Sequence, residues 1–131
     1  MTYHLQIVTP DGLHFDGQVV KILIPTINGQ IGILARHINY VSALGMGLAK
    51  VVTEEETRFA ACIGGMVAVT DGEVKVVATT FEWADEIDLA RAEKARDEAQ
   101  QRLDKMQSGD RDFSCVEAKL KRALTRIQSK G

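Results

Sequence analysis

"EWADEIDLARAEKAR", residues 82–96, packs five acids and three bases around a thin line of alanines. Before it, apolar residues alternate with polar ones; after it, they recur every three and four positions. The first period belongs to strands and the second to helices. The stretch therefore marks where a sheet domain ends and a helical element begins. Its own charges alternate in sign, the pattern of a solvated helix face laced with i,i+4 pairs.

On the upstream side, "YHLQIVT" (3–9) sets Tyr3, Leu5 and Ile7 on one face and His4, Gln6 and Val8 on the other. "TPDG" (9–12) puts Pro10 and Gly12 where a tight turn needs a fixed φ and a permissive residue. "FDGQVVKILIP" (15–25) reads as a second turn, then a β-branched run closed by Pro25. Further turns are expected at "NGQIG" (28–32), at Gly45 and Gly47, at Gly64-Gly65 and at Asp71-Gly72, the last a strong hairpin signal. About seven to nine short strands at this spacing predict an antiparallel sandwich or flattened barrel. The βαβ alternation of a nucleotide-binding sheet is absent from this half.

Downstream, Leu89, Ala92, Ala95 (or Arg96), Ala99, Leu103 and Met106 predict a helix over 86–106. "QSGDRD" (107–112) breaks it, with Gly109 as a stop. A second helix starts near Asp112 or Ser114, where Ser114 and Glu117 fit a capping box. Its apolar line is Val116, Leu120, Ala123 or Leu124, and Ile127. So short a connection implies an antiparallel hairpin. The expected fold is α+β, strands then helices, with a β-sandwich over 1–83 and a helical hairpin over 84–131. Alanine buries little surface, so this seam predicts a hairpin that grips a third surface weakly and can leave it.

With 131 residues and a formal charge of −2, the chain has no bulk basic footprint for nucleic acid. Residues 108–131, with six bases against three acids, are locally basic and suit an acidic or phosphorylated partner. Cys62 and Cys115 stand far apart in no metal-ligand spacing, each beside apolar neighbours, so reduced, packed thiols are expected. "MTYHLQIV" lacks a basic n-region and a long apolar run, so no signal peptide is expected, and no window is long enough to span a bilayer. There is no GxxxxGK[ST] loop, and His4, His14 and His37 fall in separate segments with no nucleophile motif beside them. Asp85, Glu86 and Asp88 sit where acids simply favour a helix start. No catalytic residue, metal or required cofactor is expected.

Taken together, "VTPDG", "FDGQV", "IPTINGQIGILARH", "IGGMVAVTDGEVKVVA" and "EIDLARAEKAR", in this order, resemble the epsilon subunit of bacterial F-type ATP synthase. The likeness runs from Tyr3 to Arg126, with Ala35-Arg36 standing where the family usually has proline or glycine. It implies a non-catalytic central-stalk rotor part whose sandwich clamps the gamma subunit and rests on the c-ring. The hairpin is implied either to fold down or to extend toward the catalytic beta and alpha subunits and block ATP hydrolysis. The implied location is the cytoplasmic face of the bacterial membrane, peripheral, through the complex alone. Gly29, Ile31, Gly32, Ile33 and His37 fall in the stretch that the family turns to the c-ring, although His37 equally reads as a turn filler. In members that bind ATP, the signature is Ile or Leu followed by Asp-x-x-Arg-Ala, with arginines on the second helix. Here Ile87, Asp88, Arg91, Ala92, Arg122 and Arg126 fit it, and Glu82 or Asp88 is expected to accept from the nucleoside. Glu98 stands where such relatives can carry another arginine, and Arg96 or Arg102 are the replacements on offer. The alternative reading is a free-standing nucleotide sensor, which would have no use for "NGQIGILARH".

Overall fold

The computed structural model describes residues 1–107, 109 and 111–130. Eight strands come first: β1 (Tyr3–Thr9), β2 (Gly12–Val19), β3 (Lys21–Thr26), β4 (Gly29–Leu34), β5 (Tyr40–Ala43), β6 (Met46–Val52), β7 (Thr57–Thr70) and β8 (Glu73–Trp83). A single 3-10 turn (Ala84–Glu86) leads into α1 (Leu89–Asp104) and α2 (Phe113–Lys130). The strands join in the order β2-β1-β8-β7-β6-β3-β4, with β5 also on β7. Pairing is antiparallel except for β1 and β8, which run parallel. The strands-then-helices architecture read from the sequence is the one found.

Three expected turns do not reverse the chain; at Gly45 and Gly47 it runs on from β5 into β6, both antiparallel to β7, with Gly47 paired to Cys62. Asp16 and Gly17 pair with Gln6 and Leu5 inside β2, so "FDGQ" does not reverse the chain. Gly64-Gly65 lies within β7, which keeps one register against β8 on both sides of the pair. What the glycines do is turn the strand's faces over. Ala60 and Cys62 point into the core before them, Val67 and Val69 after them. Both have positive φ (69° and 113°), and a Cβ on Gly65 would lie 2.1 Å from the Val77 carbonyl oxygen. β5 and β6 follow this corner along β7, with Gly45 opposite Gly64. Pro25 also sits inside β3, opposite Gln30, rather than closing it. The Asp71-Gly72 hairpin is as expected, with φ of 52° and 83° joining β7 to β8.

The core is one cluster of β-branched and leucine side chains, including Leu5, Ile7, Ile22, Ile24, Ile33, Val51 and Val76. Phe81, Trp83 and Phe15 close it at the hairpin end through edge-to-face contacts of 5.0 and 6.3 Å. The Arg58 guanidinium covers the Trp83 ring at 3.8 Å, so the last strand residue is fixed to the sandwich.

α1 starts later than its periodicity suggests, because Ile87 and Asp88 are extended and Asp88 caps the helix. At the start of α2 the Val116 N–H bonds to the Asp112 carbonyl, which leaves Ser114 inside the first turn rather than at the cap. Of the expected connection, Ser108 and Asp110 lie outside the described residues. α1 packs on α2, and α2 packs on β6 and β7, so the hairpin is folded down on the sandwich. Val116 and Ala123 are buried on α2, while Leu124 is exposed. Thr125 and Ser129 are buried as well, about 200° and 240° round the helix from Ala123. Their hydroxyls donate to the Lys121 and Thr125 carbonyls, so two small polar residues go under without an unmet bond. On the sheet side, Ala61 and Ile63 are buried on the face of β7 turned away from the core cluster. Cys62 is packed as expected; Cys115 is exposed near the start of α2.

Candidate functional site

Where β8 passes into α1, the backbone opens a cavity of about 390 Å³. Glu82 reaches it from the outward face of β8, Ile87 and Asp88 from the extended link, and Arg91, Ala92 and Ala95 from the first turns of α1. Ala123 and Arg126 close it from α2, and Glu86 stands at its rim. Six of the seven residues picked from the sequence for a nucleotide thus meet in one place. Their spacing explains it: Asp88, Arg91, Ala92 and Ala95 are three and four apart on α1, as are Ala123 and Arg126 on α2 across from them. Arg122 is one turn earlier on α2 and lines an adjoining groove with Glu98, Arg102 and Lys119. Glu86 and the alanines at 95 and 123 were not picked out; short side chains carry no signal until two helices face each other.

Two members of the set are engaged. Arg126 Nε donates to Glu82 Oε1 at 2.7 Å, each side chain about one-third exposed. This charge-assisted bond ties α2 to β8 and leaves both terminal nitrogens of Arg126 available. Asp88 Oδ1 accepts from the Arg91 backbone N–H at 3.1 Å, so these two are joined by a helix cap rather than a side-chain ion pair. The Arg91 guanidinium has no partner among the described residues. The result is an apolar floor (Ile87, Ala92, Ala123) ringed by carboxylates and guanidiniums. It suits a ligand with a flat apolar body, hydrogen-bond donors and anionic oxygens. Among the described residues, no group of His, Cys, Asp and Glu is arranged to hold a metal.

The stretch expected to meet the c-ring is mostly strand. Gly29, Ile31, Gly32 and Ile33 belong to β4, which ends the strand order, and His37 follows in the next connection. Ile33 is fully buried and Ile31 leans on the core, so their side chains serve packing. Outward along β4 stand Gln30, Gly32 and Leu34, of which Gln30 and Leu34 were not singled out. His37 Nδ1 hydrogen-bonds to the Ile38 carbonyl at 2.9 Å, and its ring meets Tyr40 edge-on at 6.0 Å. On the tail, Lys119, Lys121 and Lys130 are exposed, and Lys121 pairs with Glu117 at 3.5 Å.

Comparison with known proteins covers the whole chain. Residues 2–84 match the model of the ATP synthase delta/epsilon chain β-sandwich domain, and 85–131 that of the same chain's long α-helix domain. The ATP synthase epsilon chain of Halalkalibacterium halodurans is 34% identical over 130 residues, 99% of this chain and 98% of that one. The epsilon chain of Nitratidesulfovibrio vulgaris is 38% identical over 128 residues, 98% and 95% of the two chains. Among solved structures, a chain of the Euglena gracilis mitochondrial ATP synthase (OSCP/F1/c-ring) superposes with a TM-score of 0.82 at 26% identity, covering 95% of this chain and 78% of that one. One from the Tetrahymena thermophila central stalk and c-ring, at 16% identity and a TM-score of 0.56 over 97% and 92%, shares the fold. No helix among the described residues is long and apolar enough to cross a membrane.

Proposed function

This chain belongs to the ATP synthase delta/epsilon chain family, with epsilon chains as its curated relatives, and we propose that it is a non-catalytic rotor part of the central stalk whose hairpin is a nucleotide-held latch. In this reading the sandwich, residues 1–83, grips the gamma subunit and rests on the c-ring, so that ion flow is coupled to ATP synthesis. The chain meets the membrane only through that complex, on its cytoplasmic side. The hairpin, residues 84–131, binds ATP as a regulatory ligand while folded down. Released, it extends toward the beta and alpha subunits and restrains hydrolysis through its basic second arm.

The observation that carries the latch is the meeting of Ile87, Asp88, Arg91 and Ala92 with Glu82 and Arg126 around one cavity at the hinge. Its walls come from β8, the link, α1 and α2, so a ligand bound there touches both the sandwich and the hairpin. Such a ligand binds the closed form better than the open one and shifts the balance toward it. Titration calorimetry of the full chain tests this. Saturable ATP binding is expected, weakened about tenfold or more in Arg91→Ala and in Asp88→Asn, which keeps the cap. Binding equally strong in both variants would refute the assignment. Co-elution with purified gamma subunit tests the rotor part of the reading, and its failure would favour a lone sensor.

A further inference from the structure

Asn28 and Gly29 stand at the tip of the hairpin that joins β3 to β4, and both are exposed. The chain has two asparagines, and the other one, Asn39, supplies the contrast. Asn39 Oδ1 accepts from the Asp71 backbone N–H at 3.0 Å, and the residue after it is the half-buried Tyr40. The Asn28 carboxamide has no partner among the described residues, and the residue after it has no side chain.

At this tip the backbone is held and the side chain is not. Thr26, buried at the base of the turn, accepts from the Asn28 backbone N–H at 3.2 Å and donates to the Gly29 carbonyl at 2.5 Å. The Ile27 N–H donates to the Ala43 carbonyl at 3.2 Å. None of these bonds engages the carboxamide, whose carbon is an electrophile that the next backbone nitrogen reaches by closing a five-membered ring. Ordinarily the side chain of the following residue stands in the way, and glycine removes that obstruction while freeing its own φ. Gly29 has a φ of 110°, and a Cβ built on it would meet nothing within 4 Å, so the flank of its nitrogen is open. Exposed loop tips are also where a chain opens locally at least cost.

We propose that Asn28 is a site of spontaneous covalent modification. The Gly29 nitrogen, having given up its proton, attacks Asn28 Cγ and forms the N–C bond of a succinimide. The Cγ–N bond of the carboxamide breaks, and its nitrogen takes up a proton and leaves as ammonia. Water, the one co-reactant, then opens the ring at either carbonyl. Attack at Cγ restores the backbone with aspartate in place of asparagine; attack at the backbone carbonyl leaves the chain running through Cβ and Cγ, as isoaspartate. Either product sets a carboxylate on a turn that was neutral. Isoaspartate also adds a methylene to the backbone, so the Thr26 hydroxyl loses the spacing that lets it meet the Asn28 N–H and the Gly29 carbonyl together. Asp71-Gly72 has a similarly open glycine but no amide to expel. In the rotor reading this turn leads into the stretch set against the c-ring, so the new charge arises beside that contact; the chemistry at Asn28 does not depend on that reading.

Ageing the full chain in buffer at neutral and at alkaline pH, with tryptic peptide mass mapping, tests the proposal. Residues 22–36 make one tryptic peptide with Asn28, 37–50 another with Asn39, and 59–75 a third with Asp71. The first should gain the mass of an amide turned to acid, and become a substrate for isoaspartyl methyltransferase, about tenfold or more faster than the second. Its rate should rise with hydroxide concentration, because the attacking nitrogen must first lose its proton. Asn28→Ser should abolish both signals in that peptide with the melting temperature unchanged, since the side chain it replaces is exposed and unbonded. A parallel sample in guanidinium chloride gives the rate of the unfolded chain. Conversion of Asn28 in the native chain within about tenfold of that rate upholds the site. Conversion in the unfolded chain alone, conversion of Asn39 at an equal rate, or no conversion in either sample overturns it.

Discussion

Arg36 holds a backbone shape that suits glycine. Its φ is 66°, in the left-handed region, where an L side chain costs about 1–2 kcal/mol. Glycine would remove that strain but lose about 0.5–1 kcal/mol in chain entropy. Arg36→Gly is therefore expected to stabilise the protein by about 0.5–1 kcal/mol and raise the melting temperature by roughly 2–5 °C; calorimetric melting checks it. The opposite holds at Gly65, where an added Cβ meets backbone on β8. Gly65→Ala should cost roughly 3 kcal/mol or more, read from urea denaturation. Burial pushes the Cys62 thiol up from 9.0 to about 12 and raises the Tyr3 hydroxyl as well. Both are acids whose folded pKa lies above the unfolded value, so their stabilising effect is complete below pH 9 and drains away as pH rises toward 12. Each contributes a slope of at most about 1.4 kcal/mol per pH unit. Cys62→Ala should flatten the fall in stability between pH 9 and 10, before Tyr3 enters.

At the level of elements, the grip of α2 on the sheet is thin. Its sheet-side line at Thr125 and Ser129 is short and polar, and Ala61 and Ile63 are what lies buried on that face of β7. Close approach is what these small residues permit, so a larger side chain should wedge the helix away. Thr125→Leu is expected to open the hairpin while the sandwich stays folded. Faster tryptic cleavage within 84–131, with β-sheet circular dichroism unchanged, is the expected readout. Trp83 belongs to the sandwich cluster and is clamped by Arg58. A chain cut after Trp83 should accordingly remain folded and still bind gamma; an aggregated product would rule out the two-unit reading.

At the level of the whole molecule, the two uses proposed for the hairpin's charges cannot be met at once. Folded down, Arg102, Lys119 and Arg122 face a groove between the helices. Extended, the proposed inhibitory arm offers its cations to an acidic partner. Lys121 and Lys130 lie outside both cavities, so they separate the two uses. Lys121→Gln/Lys130→Gln should leave ATP affinity unchanged and relieve inhibition of hydrolysis by the assembled enzyme. Each exposed pair is worth only about 0–1 kcal/mol, so the relief should be partial, on the order of a few-fold. Unchanged inhibition in steady-state assays would sink the electrostatic account of the arm.

The periods of the sequence determined the two kinds of element and their order, because a strand and a helix present their side chains at spacings that cannot be confused over long runs. Asp71-Gly72 announced its hairpin for the same local reason: both residues must take positive φ. Ile87, Asp88, Arg91 and Ala92 could be picked out because they fall within six residues and match a short signature of the family the chain resembles. Gly64-Gly65 could not be told from a turn, since the same dihedral freedom bends a strand as readily as it reverses one, and only β8 running alongside decides which. Thr125 and Ser129 stand outside the apolar line read for the second helix, since their burial depends on where α2 lies on β7, not on their own chemistry. The Glu82–Arg126 bond joins residues 44 apart, and Arg102 and Lys119 line one groove from two helices. Such pairings have no period to betray them, and packing alone brought them together.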